Sequence, residues 1–101
     1  KNSKVDLTAT SVTTVYTVPT GATSIVKSIL VSDDSGSGDT ITLTITNGSD
    51  VFSLFKTKTI TANGTSELLA APLVLTAGEI LKATAATADR LHIVCSYLEI
   101  T

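Results

Sequence analysis

The side chains able to do chemistry are few: His92, Cys95, nine carboxylates and seven Lys or Arg residues in a chain of 101. A histidine acts as base or metal ligand when a suitable partner is held beside it. His92 lies inside the apolar run LHIVCSYLEI and has no partner at local spacing. It reads as a strand histidine with a satisfied hydrogen bond. Cys95 lies in the same run among apolar neighbours and reads as a small buried hydrophobe, not a nucleophile. The run DDSGSGD, Asp33 to Asp39, sets three aspartates near two glycines and invites a calcium reading. It lacks the DxDxDG spacing and distal Glu of a calcium loop. HxH, CxxC, HExxH, GxSxG and a glycine-rich phosphate loop are all missing. Asp33, Asp34, Asp39, Glu67, Glu79, Asp89 and Glu99 could meet in space, but no pair stands out. The expectation is a protein that is not an enzyme, with no catalytic residues, cofactor or metal.

Composition bounds the rest. The chain is long enough for one domain with one modest core. It is 43% hydrophobic and 16% charged, against about 25% charged in an average globular chain. No apolar run approaches the roughly 18 residues of a spanning helix, so a membrane protein is not expected. The shortage of charge fits a surface covered by neighbouring subunits, because obligate interfaces are more apolar than free surfaces. A net charge of -2 argues against nucleic-acid binding, which needs a basic face. One cysteine closes no internal disulfide, unlike a small stapled secreted domain. The chain starts at Lys1 and has no methionine, which fits an omitted initiator or a proteolysed terminus. Asn47-Gly48-Ser49 and Asn63-Gly64-Thr65 match glycosylation acceptors and read as turns.

The elements that would position these residues are strands. Thr13 to Ser32, TTVYTVPTGATSIVKSILVS, holds two β-branched runs around a Pro19-Thr20-Gly21 corner. It predicts an antiparallel hairpin with Pro19 at the second turn position. Tyr16 is expected to bury its ring and send its hydroxyl to a rim partner. In the return strand Ile25, Ile29 and Val31 share one face, and Val26 and Leu30 the other. Residues 1 to 4 read as a loose arm and Val5 to Thr8 as a short edge strand, which makes 1–12 an appendage to a domain over 13–101.

Thr40 to Thr46, TITLTIT, alternates at period two. Ile41, Leu43 and Ile45 face the core, and Thr40, Thr42, Thr44 and Thr46 face out. Asn47-Gly48 marks a tight hairpin. Val51 to Ile60 follows, with Phe52 and Phe55 on opposite faces and Lys56 and Lys58 discouraging edge pairing. Ser66 to Ala70 is a short strand, and Pro72 bars a long central one. Leu73 to Leu75 leads to a hairpin turn at Thr76 to Glu79. Ile80 to Thr87 and Leu91 to Ile100 complete the set, the last being central with apolar residues on both faces. The sum is an all-β fold without significant helix: a two-sheet antiparallel sandwich of jelly-roll type, with seven to eight short strands. An immunoglobulin-like sandwich is the alternative, though its Cys-Trp-Cys signature is missing.

The hairpin TTVYTVPTGATSIVKSILVSD, the alternating TITLTIT and the closing APLVLTAGEILKATAATADRLHIVCSYLEI together resemble small virion structural proteins of tailed bacteriophages. The shared pattern is a strand ending in V-P-x-G, an isoleucine-rich return, a variable loop, an L-x-L-x-x-G-[DE] turn and an alternating final strand. The resemblance covers Thr13 to Ile100. It implies a non-enzymatic protein located in the virion, a homo-oligomer attached to a major capsid or tail protein. A capsid decoration (cement) protein is the first expectation. A tail or head-fibre base domain and a carbohydrate- or receptor-binding sandwich are the alternatives, though two Tyr and two Phe leave few platforms for sugars. The candidate interface is Thr40, Thr42, Thr44 and Thr46, or Phe52 and Phe55.

Overall fold

The computed structural model describes all residues, Lys1 to Thr101. Nine strands form: β1 (Asn2–Asp6), β2 (Thr13–Thr17), β3 (Thr23–Asp33), β4 (Asp39–Asn47), β5 (Asp50–Ile60), β6 (Thr65–Glu67), β7 (Leu73–Leu75), β8 (Ile80–Ala85) and β9 (Leu91–Ile100). They make two antiparallel sheets, one of five strands in the order β1-β9-β3-β6 with β7 also on β3, the other of four in the order β2-β8-β4-β5. The all-β sandwich expected from period-two patterning is therefore present. No helix is long and apolar enough to cross a membrane. The count is nine against the expected seven to eight; the short strand expected over Ser66 to Ala70 forms as the three-residue β6, and Leu73–Leu75 forms β7, the two flanking the Pro72 interruption.

The core lies between the sheets and takes alternate residues from each strand. Ile41 and Leu43 of β4, Leu81 and Ala83 of β8, and Leu91, Ile93 and Cys95 of β9 have at most 1% exposure. The small Ala83 and Ala85 side chains are also buried there, each 1% exposed.

Two expected hairpins are not hairpins. β2 pairs with β8 in one sheet, and β3 pairs with β9 in the other. The Pro19–Gly21 corner therefore carries the chain from sheet to sheet. Its local chemistry is still that of a turn: Ala22 N–H donates to the Pro19 carbonyl at 3.1 Å, and Gly21 takes φ +81°. This puts Pro19 at the first turn position, not the second. The Thr76–Glu79 turn likewise links β7 of one sheet to β8 of the other, with Gly78 at φ +83°. The two corners are tied together, because Val18 N–H donates to Glu79 and Gly78 N–H donates to Val18. A turn motif sets a reversal of direction, but burial of two apolar faces against each other decides which sheet the next strand joins. The one tight hairpin between long strands is β4–β5, where Asn47 pairs with Asp50 across Gly48-Ser49, as Asn-Gly predicts.

Residues 1 to 4 are not a loose arm. β1 pairs with β9 over five residues, the Lys1 amino group donates to the Tyr97 carbonyl, and Leu7 is fully buried. The 1–12 segment is thus part of the sandwich. Its polar composition hid this, because an edge strand needs only one apolar anchor.

Candidate interaction surfaces

The threonine row of β4 lies along the outer side of the four-stranded sheet. The pairing with β8 sets Thr42 beside Thr84, Thr44 beside Lys82 and Thr46 beside Ile80. These residues turn away from the core, which holds Ile41, Leu43 and Ile45. The row is not a bare platform. Thr40, Thr42 and Thr44 are half-buried by neighbours, and Thr42 Oγ1 accepts from the Thr57 N–H at 3.1 Å. Thr46 is only 9% exposed, and its Oγ1 has no hydrogen-bond partner.

Phe52 and Phe55 do not point to opposite faces. β5 has extra residues relative to β4, so Ile45 pairs with Phe52 and Leu43 with Phe55. Both phenylalanines therefore share the side of core residues. A bulge converts an odd spacing into a same-face pair. Phe55 packs partly against the core, whereas Phe52 at the hairpin tip is 57% exposed beside an exposed Val51. Farther along, Thr57 adopts φ +51°, an uncommon state for a β-branched residue. With Lys56 and Lys58 it makes the second half of this edge strand a poor template for another strand.

The outer face of the five-stranded sheet carries more exposed apolar surface than the sequence suggested. A β3 bulge between Val26 and Ser28 reassigns its faces. Val26 joins Ile29 and Val31 in the core, while Ile25 and Leu30 turn outward. Ile25 pairs with Leu98 of β9 on one side and Val74 of β7 on the other. Val74, Leu98 and Ile100 are each about half-exposed or more. The available signal was the presence of apolar residues on both faces of β3 and β9. A straight count of alternation missed the bulge.

The polar groups gather at the two ends of the sandwich. At one end of the sandwich Tyr16 stacks on Tyr97 with ring centroids 4.0 Å apart. Its hydroxyl donates to Glu99 Oε2 at 2.7 Å, the rim partner expected for it. Burial pushes the Tyr16 pKa up to about 12; a bond with Ser24 opposes this, and the Glu99 carboxylate adds to it. Hydrogen bonds from Lys1 and Tyr16 hold Glu99 below the usual carboxylate range. At the other end Asp33 Oδ1 accepts from the Ser35 hydroxyl and N–H, each at 2.7 Å. These bonds lower its pKa, and backbone groups of Gly36 and Gly38 act in the same direction. Its Oδ1 staples the loop, while its Oδ2 is buried without a hydrogen-bond partner; no group of three or more His, Cys, Asp or Glu side chains is placed to hold a metal ion together.

His92 lies on the outer face, with Nε2 3.3 Å from Asp6 and Nδ1 3.7 Å from Asp34. Its ring lies between Asp6 of β1 and Asp34, and it borders a shallow, open depression of about 370 Å³ lined also by Lys4, Val5, Asp6, Ile93 and Val94. Cys95 is fully buried. Desolvation pushes its thiol up to about 11, with the Glu67 charge adding, and its place in the core is the buried position expected of it.

Comparison with protein-family models, curated proteins and solved structures found no match to this chain.

Proposed function

We propose that the protein is a non-enzymatic structural protein of a tailed-phage virion, a capsid decoration (cement) protein that strengthens the shell through intersubunit contacts. The observation that carries this reading is the surface. A chain only 16% charged keeps Val12, Leu30, Val51, Phe52, Val74, Leu98 and Ile100 exposed. Such side chains are stabilised when a neighbour removes them from water, by roughly 25 cal/mol per Å² of apolar area. Many weak contacts by small rigid blocks add by multivalency.

The strand orders support a jelly-roll reading of the sandwich. Apart from the β4–β5 hairpin and the β6–β7 link, every connection passes from one sheet to the other, the interleaving that two nested Greek keys produce. On this reading the outer face of the four-stranded sheet, with Thr40, Thr42 and Thr44, and the Phe52 tip, backed by Phe55, supply contact to the major capsid protein.

The test is mass spectrometry of purified particles of the virus that encodes this chain. A decoration protein should occur in a copy number that scales with the shell subunits. A few copies per particle would move the assignment to a tail or head-fibre base domain, and absence from the particles would overturn it. Thr44→Lys should abolish binding to bare shells while the free protein keeps its circular dichroism spectrum.

A further inference from the structure

We propose that the outer face of the five-stranded sheet is a self-association surface. A second copy of this chain docks there about a two-fold axis that runs along the strands between β9 and β3. The face is built of cross-strand rows. One row runs Lys4, Val94, Leu30, Glu67 across β1, β9, β3 and β6. It has a cation at one edge, an anion at the other and two apolar residues between them. Rotation about the stated axis exchanges the two halves of the row. Lys4 then lies over the second copy's Glu67, and Val94 over its Leu30.

Neither charge is spoken for within the chain. The Lys or Arg ion pair present joins Lys1 with Glu99, and the carboxylates near His92 are those of Asp6 and Asp34. Glu67 is held in place by the Ser28 hydroxyl and the Ile29 and Leu69 N–H groups, so its charge is positioned without being paired.

The other rows obey the same symmetry. Asp6, His92, Ser32 and Thr65 form one row, in which Asp6 meets Thr65 and His92 meets Ser32. Asn2, Ser96 and Ser28 form a neutral row. Leu98, Ile25 and Val74 form an apolar row, in which Leu98 falls on the second copy's Ile25. Lys27, exposed in the β3 bulge, falls over the second copy's β9 near Ser96 and meets no cation. An in-plane axis across the strands would instead set Glu67 on Val74 and bury a carboxylate on an apolar group, which is costly.

Shape agrees as well. The depression between β1 and β9, lined by Lys4, Asp6, His92 and Val94, lies where the second copy's β6 edge arrives. Four strands about 4.8 Å apart, over about eight residues of about 3.3 Å each, give a footprint on the order of 500 Å². That is the low end of a specific interface, so the expected association is reversible.

This inference does not rest on the virion reading, and its test uses the purified chain alone. A protein missing from virions could still dimerise, and a monomer could still decorate a shell. Sedimentation across the micromolar range should show a monomer–dimer equilibrium. Leu98→Lys should weaken the dimer at least about tenfold. Lys4→Glu, at an exposed position where folding is not at stake, should do the same by placing like charges together. Thr44→Lys, on the opposite sheet, should leave the dimer intact. Carbodiimide treatment of a mixture of ordinary and nitrogen-15-labelled chains should join Lys4 of one isotope to Glu67 of the other. A monomer at all concentrations would overturn the proposal. So would a dimer indifferent to both Leu98→Lys and Lys4→Glu, or one dissociated by Thr44→Lys.

Discussion

The outer face of the four-stranded sheet presents threonines with Lys82 among them, and those threonines are half-buried or buried by their own neighbours. The outer face of the five-stranded sheet presents Ile25, Leu30, Val74, Leu98 and Ile100, several of them half-exposed. Both sheets contribute to one core, so the difference does not come from folding. It teaches that a regular alternating strand advertises its outer face, whereas a bulged strand conceals it. TITLTIT states its outer face directly. The β3 face becomes apparent only once the Val26/Ser28 bulge and the pairing with β7 and β9 are known.

The comparison first requires that the sheets be equal partners in the core. Leu43→Ala in one and Ile93→Ala in the other, both at fully buried positions, should each destabilise by about 2–5 kcal/mol. Urea midpoints with unchanged slopes would check this, and a tolerant sheet would break the symmetry. Next come the corners joining the sheets. Gly21→Ala places a Cβ in open space but at φ +81°, so the cost should be backbone strain of about 1 kcal/mol, measured the same way. Gly78→Ala should cost as much at its φ of +83°.

A pH titration then separates the ends of the sandwich. The folded Glu99 pKa is depressed by Lys1 and Tyr16, and the folded Asp33 pKa by Ser35. Such carboxylates contribute stability that is present above their unfolded values of about 4 and lost as pH falls through the folded values. The acid limb of a thermal-melting profile should flatten in Glu99→Gln and in Asp33→Asn, while stability near neutral pH falls in both. Smallest of all, Thr44→Lys and Leu98→Lys should each change stability by no more than about 0.5 kcal/mol, because both act outside the core. A large change in either would mean that the face is structural. Finally, Cys95 should resist thiol reagents in the folded protein and react fully in denaturant, as its burial and raised pKa require.

Much of this is legible in the residues themselves. Period-two alternation located β4 and β9, Asn47-Gly48 located the tight hairpin, and the Gly21 and Gly78 turns were visible from their dipeptides. The inward set Ile41, Leu43 and Ile45 followed from spacing alone. The interface candidates were less legible. Thr46 turned out buried, and Phe52 and Phe55 ended on one face because β5 is bulged. Val74 and Leu98 were visible as apolar residues but not as neighbours, since 24 positions separate them and only their shared strand β3 brings them into one row.

By itself, then, the sequence determined the strand class, most strand limits, the turns and the inward faces of regular strands. These depend on steric and burial preferences acting within a few residues. Tertiary structure alone decided which sheet each strand joined, the union of β1 with β9, the bulges in β3 and β5, and the rows of the outer faces. Those depend on two apolar surfaces finding a common register, which no segment encodes without its distant partner.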